Sequence, residues 1–224
     1  MAQLDNPLWS SLTTTHAALA RGTGPVRRYP AEVASFLAVA EAGTPLDESL
    51  VPAGDTALLI GPRPAVPAGW QLDDFGVILQ MVCEAVPEAG GDAEGGDAEI
   101  VEIARREDVL ELAALVYPHY FRPRTPELGR YFGIYERDRL VAMAGERMGF
   151  PGYRELSAIC THPDFGGRGL ARRLVCWLGA DNAARGATPF LHVAPTNTRA
   201  IALYEQNGYR VRTRIAFAAL RPPA

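Results

Sequence analysis

Apolar residues three and four positions apart predict helices over 9–19 and 31–42, the second with Pro30 near its start and Gly43 after its end. Short continuous apolar runs over 56–60 and 75–82 predict buried strands. The dense prolines between them, Pro62, Pro64 and Pro67, predict an irregular connection. Beyond residue 98 the two patterns alternate. Strands are expected at 99–104, 130–135, 140–148, 153–161, 189–193 and 211–220, with Arg137-Asp138 turning the second into the third. Helices are expected at 107–116, ended by Pro118, at 170–184, stopped by Gly186, and at 197–207, with Gly208 at its end. This is the element order of an α/β (α+β) protein, a mixed central sheet flanked by helices.

The run Pro87-Glu88-Ala89-Gly90-Gly91-Asp92-Ala93-Glu94-Gly95-Gly96-Asp97 breaks the pattern. Small, acidic and glycine-rich, it has no apolar area to bury, and its carboxylates would repel a phosphate. A linker over 87–97 is therefore expected. It would separate a smaller α/β segment, 1–86, from a principal domain, 98–224. The first segment shows no catalytic constellation. It could be a shortened relative of the second half, although no internal repeat is visible.

Composition narrows the class of protein. The chain has 224 residues, 48% of them hydrophobic, enough for an ordinary core, and a formal net charge of −4 argues against nonspecific nucleic-acid binding. Cys83, Cys160 and Cys176 are odd in number and lack CxxC or metal-ligand spacing, so buried reduced thiols and no metal site are expected. The start, Met1-Ala2-Gln3-Leu4-Asp5, lacks a basic and apolar leader, and no apolar run is long enough for a bilayer. A cytoplasmic protein is expected, with neither nucleic acid nor membrane as partner; a homodimer stays open.

Candidate chemistry is concentrated in Ile159-Cys160-Thr161-His162-Pro163-Asp164-Phe165-Gly166-Gly167-Arg168-Gly169-Leu170-Ala171. A strand end, a glycine-rich turn and a helix start follow one another. That order brings free backbone N–H groups to a helix N-terminus, within reach of a pyrophosphate. A dinucleotide site is the rival reading. The stretch lacks the third glycine of GxGxxG, however, and no carboxylate ends the next strand at Leu191-His192-Val193. A second signature is Asn197-Thr198-Arg199-Ala200-Ile201-Ala202-Leu203-Tyr204-Glu205-Gln206-Asn207-Gly208-Tyr209. In this order the two resemble the GNAT superfamily of acyl-CoA-dependent N-acyltransferases, over about residues 98–220. The second half also resembles the branch that includes the C-terminal domains of glycine N-acyltransferases.

The resemblance implies a GNAT fold with acetyl-CoA as co-substrate. Backbone N–H groups of Gly167, Arg168, Gly169, Leu170 and Ala171, with Arg172, would take the phosphates. Gly166 departs from the Arg or Gln usual in the family, which removes one side-chain contact. Pro163 and Pro195 cannot donate to a ladder, so the strands they follow are expected to splay and free Ile159, Cys160 and Thr161 for the pantetheine amides. The Cys160 N–H would face the oxyanion. Tyr204 matches the tyrosine that protonates the departing thiolate, and Asn197 both caps its helix and touches the cofactor.

An amine must lose a proton before it attacks, and two residues compete for the base role. Glu155 matches a base glutamate of some members, with burial expected to raise its pKa; the plainer reading is a surface carboxylate paired with Arg154 or Arg147. His192 lies where other members carry a catalytic glutamate, or it is a hydrogen-bonded core histidine. Cys160 has no evident activating base, so direct transfer is expected over an acyl-enzyme. The expected reaction moves an acetyl group to a primary amine, on a small molecule or a peptide. The alternatives are an amino-acid N-acyltransferase with a longer acyl donor and a non-catalytic acyl-CoA-binding module. Arg122 and Arg124 hint at a carboxylate on the acceptor.

Overall fold

The computed structural model describes residues 2–85, 99–118 and 120–223; the expected linker over 87–97 lies outside them. In chain order the elements are α1 (Ala2–Asp5), α2 (Pro7–Thr13), β1 (Val26–Arg28), β2 (Leu37–Val39), β3 (Ala57–Ile60), β4 (Gln71–Cys83), β5 (Ile100–Glu102), α3 (Arg106–Val116), β6 (Tyr131–Glu136), β7 (Arg139–Phe150), β8 (Tyr153–Thr161), α4 (Leu170–Ala184), β9 (Thr188–Val193), α5 (Thr198–Gln206) and β10 (Tyr209–Arg221). Eight strands form one sheet in the order β3-β10-β4-β9-β8-β7-β6-β5. Every pairing in it is antiparallel except β8 with β9.

Helices cover both faces. Leu170, Leu174, Val175 and Leu178 of α4 fall on one stripe and pack with Phe132, Ala142, Ala144 and Leu156 of the sheet. Val109, Leu112 and Ala113 of α3 pack on Tyr131, Met143 and Cys160 from the other side. Leu156 and Cys160 share strand parity yet meet opposite helices, so the strand must gain a residue between them.

The first segment does not stand apart from the second. β4 lies between β9 and β10, and β3 takes the edge beyond β10. The α1–α2 corner and Tyr29, Val33 and Phe36 pack on Leu128, Met148, Phe150, Phe190 and Ile215 of the second half. The division at 87–97 thus separates two stretches of sequence that share one sheet. Neither stretch alone can pair all its strands or cover its apolar face.

The helix expected over 31–42 is also replaced. Pro30 starts a single turn, with Val33 and Ala34 N–H groups donating to its carbonyl, and the chain then extends into β2. Leu37, Ala38 and Val39 are all buried and pair with β1, and Phe36 bridges to Leu58. Burial on both faces favours a strand and overrides the helical spacing. The first helix ends early as well. Thr13 and Thr14 hydroxyls donate back to the carbonyls of Trp9 and Ser10, and only turns follow.

Candidate active site

The site opens where β8 leaves β9. Their parallel pairing runs only from Tyr153↔Thr188 to Glu155↔Phe190. Ala158 then takes φ +55, a left-handed conformation rare for a residue with a side chain. On the other side of β8 the register slips from Gly145↔Ser157 to Met143↔Cys160, so Ala158 and Ile159 together face Ala144. This bulge bends β8 away from β9 well before Pro163 and Pro195 are reached. The splay is as expected; its cause is the bulge, and the prolines only end the strands.

Backbone direction beyond the bulge follows from the ladder. His162 N–H donates to the Val141 carbonyl at 2.8 Å. Hydrogen-bonded and open pairs alternate in an antiparallel ladder, so Cys160, opposite Met143, also turns toward β7. Ile159 and Thr161 turn toward the gap. The expectation that Cys160 offers its backbone to pantetheine or to an oxyanion is therefore corrected. The Ile159 carbonyl is already engaged, accepting the Tyr117 hydroxyl at 2.9 Å.

The gap continues into the glycine-rich turn. After a 3-10 turn at Pro163–Phe165, Gly167 and Gly169 take φ +77 and +72, which glycine adopts without strain. Gly169 is the N-cap of α4 and supplies no side-chain bond, so the first-turn N–H groups of Leu170, Ala171 and Arg172 stay open toward the cavity. A Cβ on Gly166 would sit 3.5 Å from the Pro163 carbonyl, an ordinary contact, so no crowding forces glycine there. The Arg168 guanidinium pairs with Glu136 and lies 5.4 Å over the Phe165 ring. A cavity of about 540 Å3 is lined by this turn, by Ile159, Cys160 and Thr161, by Asn197 and Tyr204, and by Arg199, which sequence reasoning missed. Among the described residues no carboxylate lines it. Three arginines, open N–H groups and the positive end of a helix fit the phosphates of a coenzyme A thioester.

A second cavity of about 230 Å3 shares Tyr117, Ile159, Asn197 and Tyr204 with the first and adds Ser157, Arg147 and His192. The Tyr204 ring thus stands on the wall common to both, and burial pushes its pKa well up, keeping the hydroxyl a proton donor. Asn197 caps α5, accepting the Ala200 N–H at 3.1 Å. Burial drives the Cys160 thiol up to about 12, far from a nucleophilic thiolate.

Glu155 takes the plainer of its two readings, a paired carboxylate. It is fully buried and lines neither cavity. Arg147 Nε and Nη2 donate to its two oxygens at 2.8 and 2.6 Å, and His192 Nδ1 at 2.7 Å. Burial works to raise its pKa, but the Arg147 charge and these bonds prevail and hold it near about 2. A carboxylate so stabilised takes no proton from an ammonium group; it orients its neighbours. Arg147 is one of the two partners that sequence reasoning named, but the pair is buried and not on the surface.

His192 receives the consequence. The carboxylate can only accept, so Nδ1 carries the hydrogen and Nε2 the lone pair. Gln80 of β4 meets that nitrogen at 3.2 Å through its amide Nε2, oriented because Oε1 accepts from Arg212 at 2.5 Å. The first half therefore reaches the site, which its sequence did not signal. Among the described residues no group of three His, Cys, Asp or Glu is placed to hold a metal ion.

Known proteins share the fold that carries this site. The family described as FR47-like protein matches residues 131–218, from β6 into β10. The chain is 35% identical to a solved structure from Novosphingobium aromaticivorans assigned to the GNAT acetyltransferase family, covering 99% of both chains with a TM-score of 0.85. A GCN5-related N-acetyltransferase-like protein from Streptococcus suis shares the fold at 17% identity, covering 98% of this chain and 96% of that one, TM-score 0.61. So does a GCN5-related N-acetyltransferase from Kribbella flavida at 16% identity, covering 100% and 93%, TM-score 0.55. No curated protein matches the sequence. At 35% identity over 99% of both chains, and with the bulged strand and the open helix N-terminus in place, the chain belongs to the GNAT family of acetyltransferases.

Proposed function

We propose that the protein transfers the acetyl group of acetyl-CoA to the nitrogen of a primary amine, by direct attack within a ternary complex. The observation that carries this reading is the position of Tyr204 on the wall shared by the coenzyme cavity and the inner cavity. The open end of α4 and its arginines hold the phosphates. The gap-facing backbone of Ile159 and Thr161 receives the pantetheine arm.

The amine enters the inner cavity as an ammonium ion. Its N–H replaces the Gln80 amide at His192 Nε2, which takes the proton while Glu155 holds the opposite side of the ring. The freed lone pair attacks the thioester carbonyl and a C–N bond forms. The Ile159 N–H, turned into the gap, is the donor placed for the developing oxyanion. As the C–S bond breaks, Tyr204 passes its proton to the sulfur and CoA leaves as the thiol; the nitrogen gives up its second proton, which restores the tyrosinate, and His192 releases the first to solvent.

Mass spectrometry of product and protein tests the scheme. One CoA thiol per N-acetylated amine, with no acetyl group on the protein, is expected. Acetylation of Cys160 during turnover, or acetyl-CoA binding without transfer to any amine, would overturn it.

A further inference from the structure

A third cavity, of about 190 Å3, adjoins the second and shares Tyr120, Phe121, Arg147 and Ser157 with it. Its far wall comes from the first segment, including Phe36 and Leu58. The lining is mainly apolar and, among the described residues, includes no carboxylate. Two arginines reach it. Arg147 is neutralised by Glu155 and stacks 5.0 Å over the Phe36 ring. Arg122, at the exposed rim, donates to Ser35 Oγ at 3.1 Å and, among the described residues, pairs with no carboxylate. Its neighbour Arg124 is held by Glu127 and Glu32, so of these two it is Arg122 that keeps a charge for a ligand.

Resting on the amine-acetylation reading, we propose that this cavity selects the acceptor. It takes the apolar body of a primary amine, and Arg122 pairs with an acid group at the end of that body away from the nitrogen. The order of the walls sets this arrangement: the amine lies beside Ser157 and His192, the apolar part crosses Phe36 and Leu58, and Arg122 borders only the far cavity. Polyamines and aminoglycosides would bring further positive charge to a cationic pocket without a counter-ion. Glycine would leave apolar space unfilled, and a peptide would bury backbone groups without partners.

The full-length protein, saturated with acetyl-CoA, is assayed with 4-(2-aminoethyl)benzoic acid, 2-phenylethylamine, phenylalanine and spermidine, as wild type and as Arg122→Gln. The aminoethylbenzoic acid should exceed phenylethylamine in kcat/KM by about tenfold or more, the scale of a partly exposed charged hydrogen bond. Arg122→Gln should remove that advantage and leave phenylethylamine within about twofold. Preference for spermidine, equal use of the two aryl amines, or equal loss on both in the variant overturns the proposal. Preference for phenylalanine overturns the placement of the acid at the rim. If no amine is acetylated, calorimetry of aminoethylbenzoic acid with the CoA-loaded protein separates the two readings. Binding that Arg122→Gln weakens upholds the pocket and fails the transfer chemistry; no binding fails the pocket as well.

Discussion

His192 Nδ1 lies 2.7 Å from Glu155 Oε1, and neither side chain is more than 3% exposed. The same carboxylate takes both nitrogens of the Arg147 fork and the Met148 N–H. One buried anion therefore serves a cation, a neutral ring and a backbone group together. Its value is positional, because each partner is aimed by a group that is not itself exchanging protons.

Glu155→Gln should cost stability before it costs chemistry. It leaves the Arg147 charge buried without its partner, a change that typically costs about 3–5 kcal/mol. Urea unfolding should show the midpoint fall, with Arg147→Met/Glu155→Gln losing less than Glu155→Gln alone. Residual activity of the single variant should not recover at high pH. A variant as stable as wild type whose activity returned in alkali would restore Glu155 as the base.

Tyr204→Phe keeps the packing of the ring against Tyr209 and removes only the donor. Loss of a general acid costs about 10²–10⁴ in rate, with acetyl-CoA affinity nearly unchanged. Steady-state turnover and calorimetry on the same preparation separate the two quantities. Wild-type turnover would remove Tyr204 from the chemistry.

Gly169→Asp places a side chain at φ +72 and a negative charge beside the open N–H groups of α4. Acetyl-CoA binding should be lost to calorimetry while the circular dichroism spectrum stays native. Parent-like binding would move the phosphate site elsewhere.

Acid should loosen the fold through His16. Its Nδ1 lies 2.7 Å from the Tyr29 hydroxyl and 3.1 Å from Ser11 Oγ, and the ring is buried. Burial, reinforced by the Arg154 charge, lowers its pKa from 6.5 to about 4. In that window the unfolded chain binds the extra proton, so stability is complete above 6.5 and declines as pH falls toward 4. His16→Gln should flatten this decline in chemical denaturation. The Glu155 contribution is separate, present above 4.5 and lost only toward about 2.

A fragment beginning at Ala98 keeps every residue assigned to acetyl-CoA, yet it lacks β4. β9 and β10 would then face each other across a missing strand, with their ladders to β4 unmade. The fragment should be unfolded by circular dichroism and bind no acetyl-CoA. A folded, binding fragment would show that β9 and β10 can re-pair directly.

Elements with local causes are legible in the sequence. β8 and α4 begin and end as the pattern predicts, Arg137 and Asp138 form the expected turn with φ +49 and +63, and Asn197 caps α5. Each depends on a period, a cap or a turn residue within a few positions. The place of β4 depends on partners more than a hundred residues away, and β2 on burial that the helical spacing of its segment conceals. The bulge at Ala158 carries no glycine to announce it. Glu155 kept two readings in the sequence, and the two-pronged geometry of the Arg147 pair and the His192 bond, which decide between them, arise only in the fold. The direction of a pKa follows from the sum of these effects.

The interleaving of β4 also sets a timetable. Gln80 and His192 are 112 positions apart, and β4 has no lasting neighbour until residues 188–193 and 209–221 have been synthesised. An apolar strand with two unpaired edges therefore waits through most of translation. Contacts of such long sequence separation form slowly, and exposed edges invite association in the interval. Production in cells should thus be governed less by final stability than by how well β3 and β4 are shielded on the ribosome.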